Sequence, residues 1–340
     1  MSDRAPFSQS SPSRLRASLR ALGDTAPAAA LRQLVDAGAD RLPLPGHGAT
    51  LARWRALAEV GAHDLSLAKL FEGHTDALAI LHEAGVQDED RTAVWGTWCA
   101  EAPDARLRLE HGPGGWTLSG RKAWCSGARG ATHAVVSCWD GDGQAMLAAV
   151  DLRQSGIALA DGAWQALGMR DSGSIDVHFE RATAQPLGGP DFYVRRAGFW
   201  HGGAGVAAVW FGAAAALADA LRARLAGQAD PHRLAQLGEV SVALAGSAAL
   251  MREAAAAIDR APDADAMLAA LSVRLSVEAA ATATLAAVGR ALGPGPMCKD
   301  AAMARRFADL PVFMRQSHAE RDQEAVGRIV AAGGEAPWTL

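Results

Sequence analysis

Tyrosine is nearly missing from this chain: Tyr193 is the single example among 340 residues. Cysteine is also scarce. Cys99, Cys125, Cys138 and Cys298 form no C-x-x-C pair, so a zinc ribbon or a disulfide framework is not expected, and the four read as reduced thiols of a cytoplasmic protein without a metal site. The formal charge is −4 and no dense basic face is present, which sets nucleic acid aside as a partner. There is no G-x-x-x-x-G-K-[ST], no G-x-G-x-x-G after a strand, no G-x-S-x-G and no H-E-x-x-H. A P-loop, a Rossmann site, a hydrolase elbow and a zincin site are therefore not expected. The neighbours Ser317 and His318 make no triad, because adjacent helical side chains point apart. The longest apolar run, Ala204 to Leu221, is interrupted by Gly205, Gly212 and Asp219, and reads as a buried helix rather than a membrane span. The N-terminus is polar, carries Ser8, Ser10, Ser11 and Ser13, and has no apolar signal core, so residues 1–13 are expected to form a frayed tail.

What is present divides by period. Half the residues are hydrophobic and 21% are charged, a soluble globular profile with enough chain for two or three packed units. Residues 14–90 carry helical spacing, with Leu15, Leu19 and Leu22, then Leu31, Leu34 and Val35, a Pro-Gly-rich turn at 42–48, and two longer helices closed by Gly85 as a C-cap. Across 91–190 the period falls to two. Short strands are expected at 93–98, 107–109, 116–118, 134–137, 145–150 and 174–179, separated by Gly, Pro and Asp turns, as in a small antiparallel barrel. Residues 191–340 are helical and alanine-rich, with breaks expected at 227–231, 261–263 and 293–296.

The most informative stretch is Trp116-Thr-Leu-Ser-Gly-Arg-Lys-Ala-Trp-Cys-Ser-Gly-Ala128. Read as strand, tight turn at Gly120 and strand, it sets Trp124 and Ser126 on one face, a stacking wall beside a hydroxyl donor suited to a planar heterocycle. An ordinary amphipathic hairpin with a buried Trp fits the same pattern. Trp95, Trp98, Trp116 and Trp124 concentrate in this region, as a stacking pocket or a barrel core would require.

This stretch resembles the Leu-Asn-Gly-x-Lys-x-Trp-Ile-Thr/Ser segment of the acyl-CoA dehydrogenase family. Ala166-Leu-Gly-Met-Arg-Asp-Ser to Phe179-Glu180 is similar to a second family segment, and Leu42-Pro-Leu-Pro, Asp64 to Ala68, His74 and Leu81 to Gly85 look like its N-terminal helices. The order helices, β-barrel, helices is also the family's. The resemblance covers nearly the whole chain and implies an α+β fold with an N-terminal helical bundle, a central antiparallel β-barrel and a C-terminal helical bundle. It implies FAD as cofactor, an acyl thioester on CoA or a carrier protein as substrate, an electron-transfer partner, and a homodimer or homotetramer; the interrupted apolar run already sets a membrane partner aside.

Carried over residue by residue, the resemblance puts Trp124 against the flavin and Ser126 near N5. The family's pyrimidine-gripping loop is shortened here to 98–105, so Thr97 and backbone amides near Cys99 are the candidate substitutes. Arg224 (or Arg222) and the turn holding Gly293 and Gly295 match the dinucleotide grip, although prolines at 294 and 296 remove amide donors. The catalytic carboxylate is missing. Its two family locations fall at Met314-Arg315-Gln316 and at about Gly202. His201 and His318 stand beside these positions as candidate catalytic groups, acting as base or steadying an oxygen-bearing flavin; a lone histidine at a helix end is more often a capping or packing residue. Arg315 is a candidate for binding a ligand carboxylate or phosphate. Asp309, Glu320 and Asp322 read as solvated helix charges. The expected function is therefore an oxidoreductase of acyl-CoA dehydrogenase type with an atypical base; the alternatives are a flavin monooxygenase on the same scaffold or a non-catalytic relative.

Overall fold

The computed structural model describes residues 12–86, 90–160, 164–225, 227, 230–333 and 338. Most of the expected N-terminal tail lies outside the described residues; its last two residues, Pro12 and Ser13, already open the first helix. The chain folds into two compact units, Met1–Leu44 with Ser66–Phe199, and Pro45–Leu65 with Trp200–Leu340.

The first unit contains helices α1 (Pro12–Ala21) and α2 (Pro27–Asp36), and all but the first residue of α4 (Leu65–Glu83). α2 starts on Pro27, whose missing amide hydrogen costs nothing in a first turn, and buries Ala30, Leu31, Leu34 and Val35 along one stripe. α4 ends as expected at Gly85, which takes φ +74° while Val86 N donates to Leu81 O at 2.9 Å. His74 of α4 is fully buried. Its Nδ1 accepts from Trp95 N at 3.1 Å, so its Nε2 carries the proton and donates to Asp40 at 3.0 Å. One imidazole thus ties α4 to a strand and to the loop after α2.

An eight-stranded sheet follows: β1 (Trp95–Trp98), β2 (Leu107–Gly112), β3 (Gly115–Cys125), β4 (His133–Trp139), β5 (Ala145–Asp151), β6 (Ile157–Leu159), β7 (Ile175–Thr183) and β8 (Gln185–Pro186), with a four-residue helix α5 (Phe192–Arg195) after it. The order is β6-β7-β3-β2-β4-β5-β8, with β1 on β4. The six expected strands are present. The short β6 and β8 escaped the pattern because three residues and two residues are too few to show a period. Pairing is antiparallel except that β1 and β2 meet β4 in parallel, so the sheet is mixed. Strands β1 to β5 and β7 enclose one core of Trp98, Leu107, Leu118, Val136, Val150 and Phe179.

Two expectations around β3 are corrected. Gly120 is no turn; β3 runs unbroken through it, and the hairpin closes instead between Gly112 and Gly115. Gly120 sits at a bulge with φ +125°, where a Cβ would lie 2.4 Å from Arg106 O, so glycine is required for a close backbone approach. Nor do Trp124 and Ser126 alternate on a strand. A second irregularity falls between Lys122 and Cys125, Trp124 has φ +59°, and Ser126 begins the turn beyond the strand end.

The second unit holds α3 (Thr50–His63), α6 (Gly198–Leu225) from Trp200 on, α7 (Pro231–Arg260), α8 (Met267–Leu292), α9 (Pro294–Lys299), α10 (Ala301–Phe313) and α11 (Glu320–Ala332). The helix breaks fall where Gly and Pro placed them. Asp230 caps α7, accepting from His232 N at 2.9 Å, and Gly293 takes φ +64° after α8. α3 comes from the first helical stretch of sequence yet packs in this unit, and its backbone meets that of α6 through glycine on both sides. A Cβ on Gly61 would lie 2.3 Å from Val209 O, and one on Gly212 would lie 2.0 Å from Ala58 O. Asp259 clamps the start of α3, accepting from Thr50 N at 3.0 Å and Thr50 Oγ1 at 2.6 Å. α6, α7 and α8 are each long and apolar enough to cross a membrane by length and composition; the most apolar stretch of α6 is 67% buried, that of α7 only 22%.

Candidate functional site

In the first unit, the residues expected to hold a heterocycle lie at the junction of β1, β3 and the turn after β3. The Trp124 side chain is 52% exposed, a large indole left open at a backbone conformation that bulky residues rarely adopt. Next to it, Ser126 is fixed from both sides. Its carbonyl accepts from Trp98 Nε1 at 3.0 Å, and its Oγ lies 2.8 Å from Ser174 Oγ. Ser174 Oγ lies in turn 2.8 Å from Ser172 Oγ, and Ser172 Oγ donates to Met169 O at 2.6 Å. Gly127 N donates to Ser172 O at 2.9 Å and locks the turn onto the 3-10 turn Arg170–Ser172.

Thr97 and Ser126 line one small cleft with Lys69, Leu70 and Gly73 of α4. At about 20 Å³ the cleft has room for a water. Thr97 is turned toward α4, its hydroxyl donating to Gly73 O at 2.7 Å. The exposed indole of Trp124 is a surface of this unit that suits an aromatic ligand.

The shortened loop 98–105 is anchored inward by a pair that sequence reasoning missed. Lys122 of β3 is 1% exposed and donates from Nζ to Glu101 at 2.9 Å and to Ser137 Oγ at 2.6 Å. Burial would raise the Glu101 pKa, but hydrogen bonds from Ser137 and Lys122 outweigh it and hold the carboxyl below its ordinary value. Lys122 was legible only as one letter of the family motif, since lysine is rarely buried without a partner. A second buried cation of this unit, Arg196, contacts Asp76 at 3.4 Å and Glu83 at 3.2 Å; desolvation raises the Glu83 pKa against the pull of Arg196.

In the second unit, His201 on α6 is 2% exposed and packs against the 45–46 turn, where a Cβ on Gly46 would lie 3.1 Å from its ring. His318 lies just before α11 with its side chain 67% exposed, its Nδ1 3.5 Å from Asp322. Asp322 is not a solvated charge as expected: it is buried, because it reaches back to accept from His318 N at 3.0 Å at the start of α11. Asp309 is buried too, on the inner face of α10. Arg315 is 57% exposed and pairs with Glu278 of α8.

The two places where a base was expected meet through a residue the sequence did not flag. Arg274 of α8 donates to Gly203 O at 2.8 Å and Gln316 O at 2.7 Å, with its guanidinium 5.0 Å from the Trp210 ring centroid. The start of α6 and the 3-10 turn Met314–Gln316 are thereby held together. Neither carries a carboxylate at the expected position: Gly202 stands in one, Met314, Arg315 and Gln316 in the other.

The candidate phosphate grip lies elsewhere in this unit. Arg224 donates to Asp300 at 3.2 Å, and Asp300 caps α10. Gly293 N donates to Gly289 O, so its amide is engaged within α8, while Gly295 lies inside the short α9 between two prolines. Arg222 pairs with Asp219 at 3.0 Å.

The architecture is the acyl-CoA dehydrogenase-like fold, with a helical part, a β part and a helical part in chain order. Among solved structures, the chain is similar to KijD3 in complex with FMN and dTDP-3-amino-2,3,6-trideoxy-4-keto-3-methyl-D-glucose, with a TM-score of 0.79 and 23% identity over 99% of this chain and 97% of that one. TdsC from Paenibacillus sp. A11-2, solved with FMN and indole, gives a TM-score of 0.78 and 17% identity over 96% and 97%. By sequence the chain is 29% identical over 240 residues to a dibenzothiophene monooxygenase of Rhodococcus erythropolis, covering 58% of this chain and 57% of the relative. The chain thus matches little more than half the length of that curated relative. No protein-family model matches it.

Proposed function

We propose that this chain is a flavin-dependent monooxygenase that uses reduced FMN and oxygenates a sulfur or nitrogen atom of a small substrate. The observation that carries the reading is the absence of a carboxylate at both base positions, which Arg274 brings together. Loss of a general base costs about 10²- to 10⁴-fold in a proton-abstracting dehydrogenation. A heteroatom oxygenation needs no α-proton removed. Relatives of sequence and fold point the same way, since they carry names of monooxygenases and nitrososynthases and several were solved with FMN.

The residues fit a flavin on one observation above the others: an indole held open beside an oriented hydroxyl, Trp124 beside Ser126. Trp124 would stack on the ring and Ser126 would meet its N5 edge. FMN is preferred to FAD because the expected dinucleotide grip is spent within the chain, Arg224 on Asp300 and the Gly293 amide on Gly289. Bound and reduced, the flavin would supply the electrons that split O₂, one oxygen atom passing to the substrate and the other leaving as water. In the second unit, His201 is buried at the start of α6 and Arg315 is paired with Glu278. We also propose a homo-oligomer, supported by the outward apolar side chains Leu234 and Val242 of α7.

The test is reconstitution with FMN and with FAD, desalting and a visible spectrum, followed by turnover with a flavin reductase, NADH and ¹⁸O₂ on a thioether and an amine probe. Retained FMN and one ¹⁸O in the product are expected. Anaerobic bleaching of the bound flavin by an acyl-CoA would overturn the reading in favour of dehydrogenation.

A further inference from the structure

The three serines behind Trp124 have a fixed polarity. Ser172 is 1% exposed and Ser174 is 5% exposed, so neither hydroxyl turns to solvent. The Met169 carbonyl at the inner end can only accept, and it takes the Ser172 hydroxyl proton at 2.6 Å. Ser172 Oγ has no second proton, so across its 2.8 Å contact it accepts from Ser174. Ser174 has then given its proton, and across the next 2.8 Å it must accept from Ser126. One carbonyl, three residues away along the chain of hydroxyls, thus settles the direction of all three protons. Ser126, expected as a donor from its sequence context, points its proton inward and keeps only lone pairs for anything that binds at its outer side.

We propose that Ser172 and Ser174 are positioning residues that make Ser126 a hydrogen-bond acceptor, so that the site prefers reduced flavin to oxidised flavin. The inference rests on the flavin reading above. With the ring edge at Ser126, oxidised isoalloxazine would offer a lone pair at N5 to the Ser126 lone pairs and gain nothing. Reduced isoalloxazine carries N5–H, which Ser126 can accept. A protein that receives its flavin already reduced would be selective for that form through hydrogen-bond polarity alone, without a charged group.

The experiment is anaerobic titration of the full chain with FMN and with dithionite-reduced FMN, in wild type and in Ser126→Ala, Ser172→Ala, Ser174→Ala and Ser174→Thr. Wild type is expected to bind the reduced form more tightly. Ser172→Ala or Ser174→Ala releases the outer hydroxyl to rotate, and the ratio of the oxidised to the reduced Kd should fall by roughly 3- to 10-fold, the worth of one hydrogen bond. That is about 15–30 mV in the two-electron flavin potential. Ser174→Thr keeps the relay and should keep the ratio. Ser126→Ala should weaken reduced FMN more than oxidised FMN. A ratio unchanged by Ser172→Ala and Ser174→Ala, or a Ser126→Ala variant that loses oxidised FMN preferentially, overturns the relay while leaving the flavin reading intact. A wild type that binds neither form overturns the flavin reading and the relay with it.

Discussion

Arg274 holds Gln316 by its main chain, the guanidinium donating to the Gln316 carbonyl at 2.7 Å while its other arm holds Gly203. A guanidinium can serve two carbonyls at once because its donors form a rigid planar fork, which a lysine ammonium lacks. Arg274→Met would strand two carbonyls beside Trp210. Thermal unfolding is expected to show a loss of about 3 kcal/mol, as for charge-assisted hydrogen bonds, with Arg274→Lys falling between the variant and wild type. Equal melting of all three would mean that the bridge contributes nothing.

Gly61 and Gly212 should tolerate no side chain. Each would drive a methyl group into a carbonyl oxygen of the opposite helix, and backbone cannot step aside as a flexible side chain can. Gly61→Ala and Gly212→Ala are each expected to cost ~1–3 kcal/mol, the range for overpacking. The measurement is chemical denaturation, with Gly295→Ala, where a Cβ meets open space, as the control.

The Glu101–Lys122 pair gives a pH signature whose sign is fixed. The folded pKa of Glu101 lies below its ordinary value, so its ionised form stabilises the fold above the unfolded pKa, and that contribution fades as pH falls through the folded value. The melting temperature of wild type minus that of Glu101→Gln should therefore shrink between pH 6 and pH 3. Because the Glu101 side chain is 39% exposed, the effect is modest, while Lys122→Met, which strips the buried partner, should cost more. A difference that grows on acidification would contradict the assignment.

Thiol labelling should separate one cysteine from three. Cys298 is exposed; burial pushes the Cys99 and Cys138 thiols up to about 12, and Cys125 higher still. Ellman's reagent at pH 8 is expected to titrate a single thiol in the native protein and all four after unfolding. Cys298→Ser should abolish the native reaction. Rapid native labelling of that variant would show that half-buried Cys99 or one of the buried thiols, Cys125 and Cys138, is reachable.

The legibility of the sequence followed the range of the physics involved. Helix limits set by local chemistry, such as Asp230 before Pro231 and Gly293 after Leu292, could be read directly because cap and break act within a turn. Strands long enough to alternate were also legible. Gly120 was misread because a turn and a bulge ask the same thing of a residue, freedom at positive φ, and only the pairing partner distinguishes them. Asp322 and Lys122 were invisible for a different reason: their partners are set by where the chain returns, and charged letters alone carry no sign of burial. Arg274 belongs with them. Trp124 and Ser126 were singled out through the motif, but the proton direction of Ser126 depends on Ser172, Ser174 and a carbonyl that no pattern in the sequence marks.

The crossing of α3 with α6 also dictates an order of events during synthesis. α3 is complete at His63, yet the backbone groove of Gly61 waits for Val209, which leaves the ribosome roughly 150 residues later, on the order of ten seconds at ordinary elongation rates. For that interval the nascent chain carries a helix whose counterpart does not yet exist, with Trp54 and Leu57 uncovered. The second unit can close only near the end of translation, so a chain cut short before α6 leaves α3 as an orphan, a ready target for chaperones and proteases.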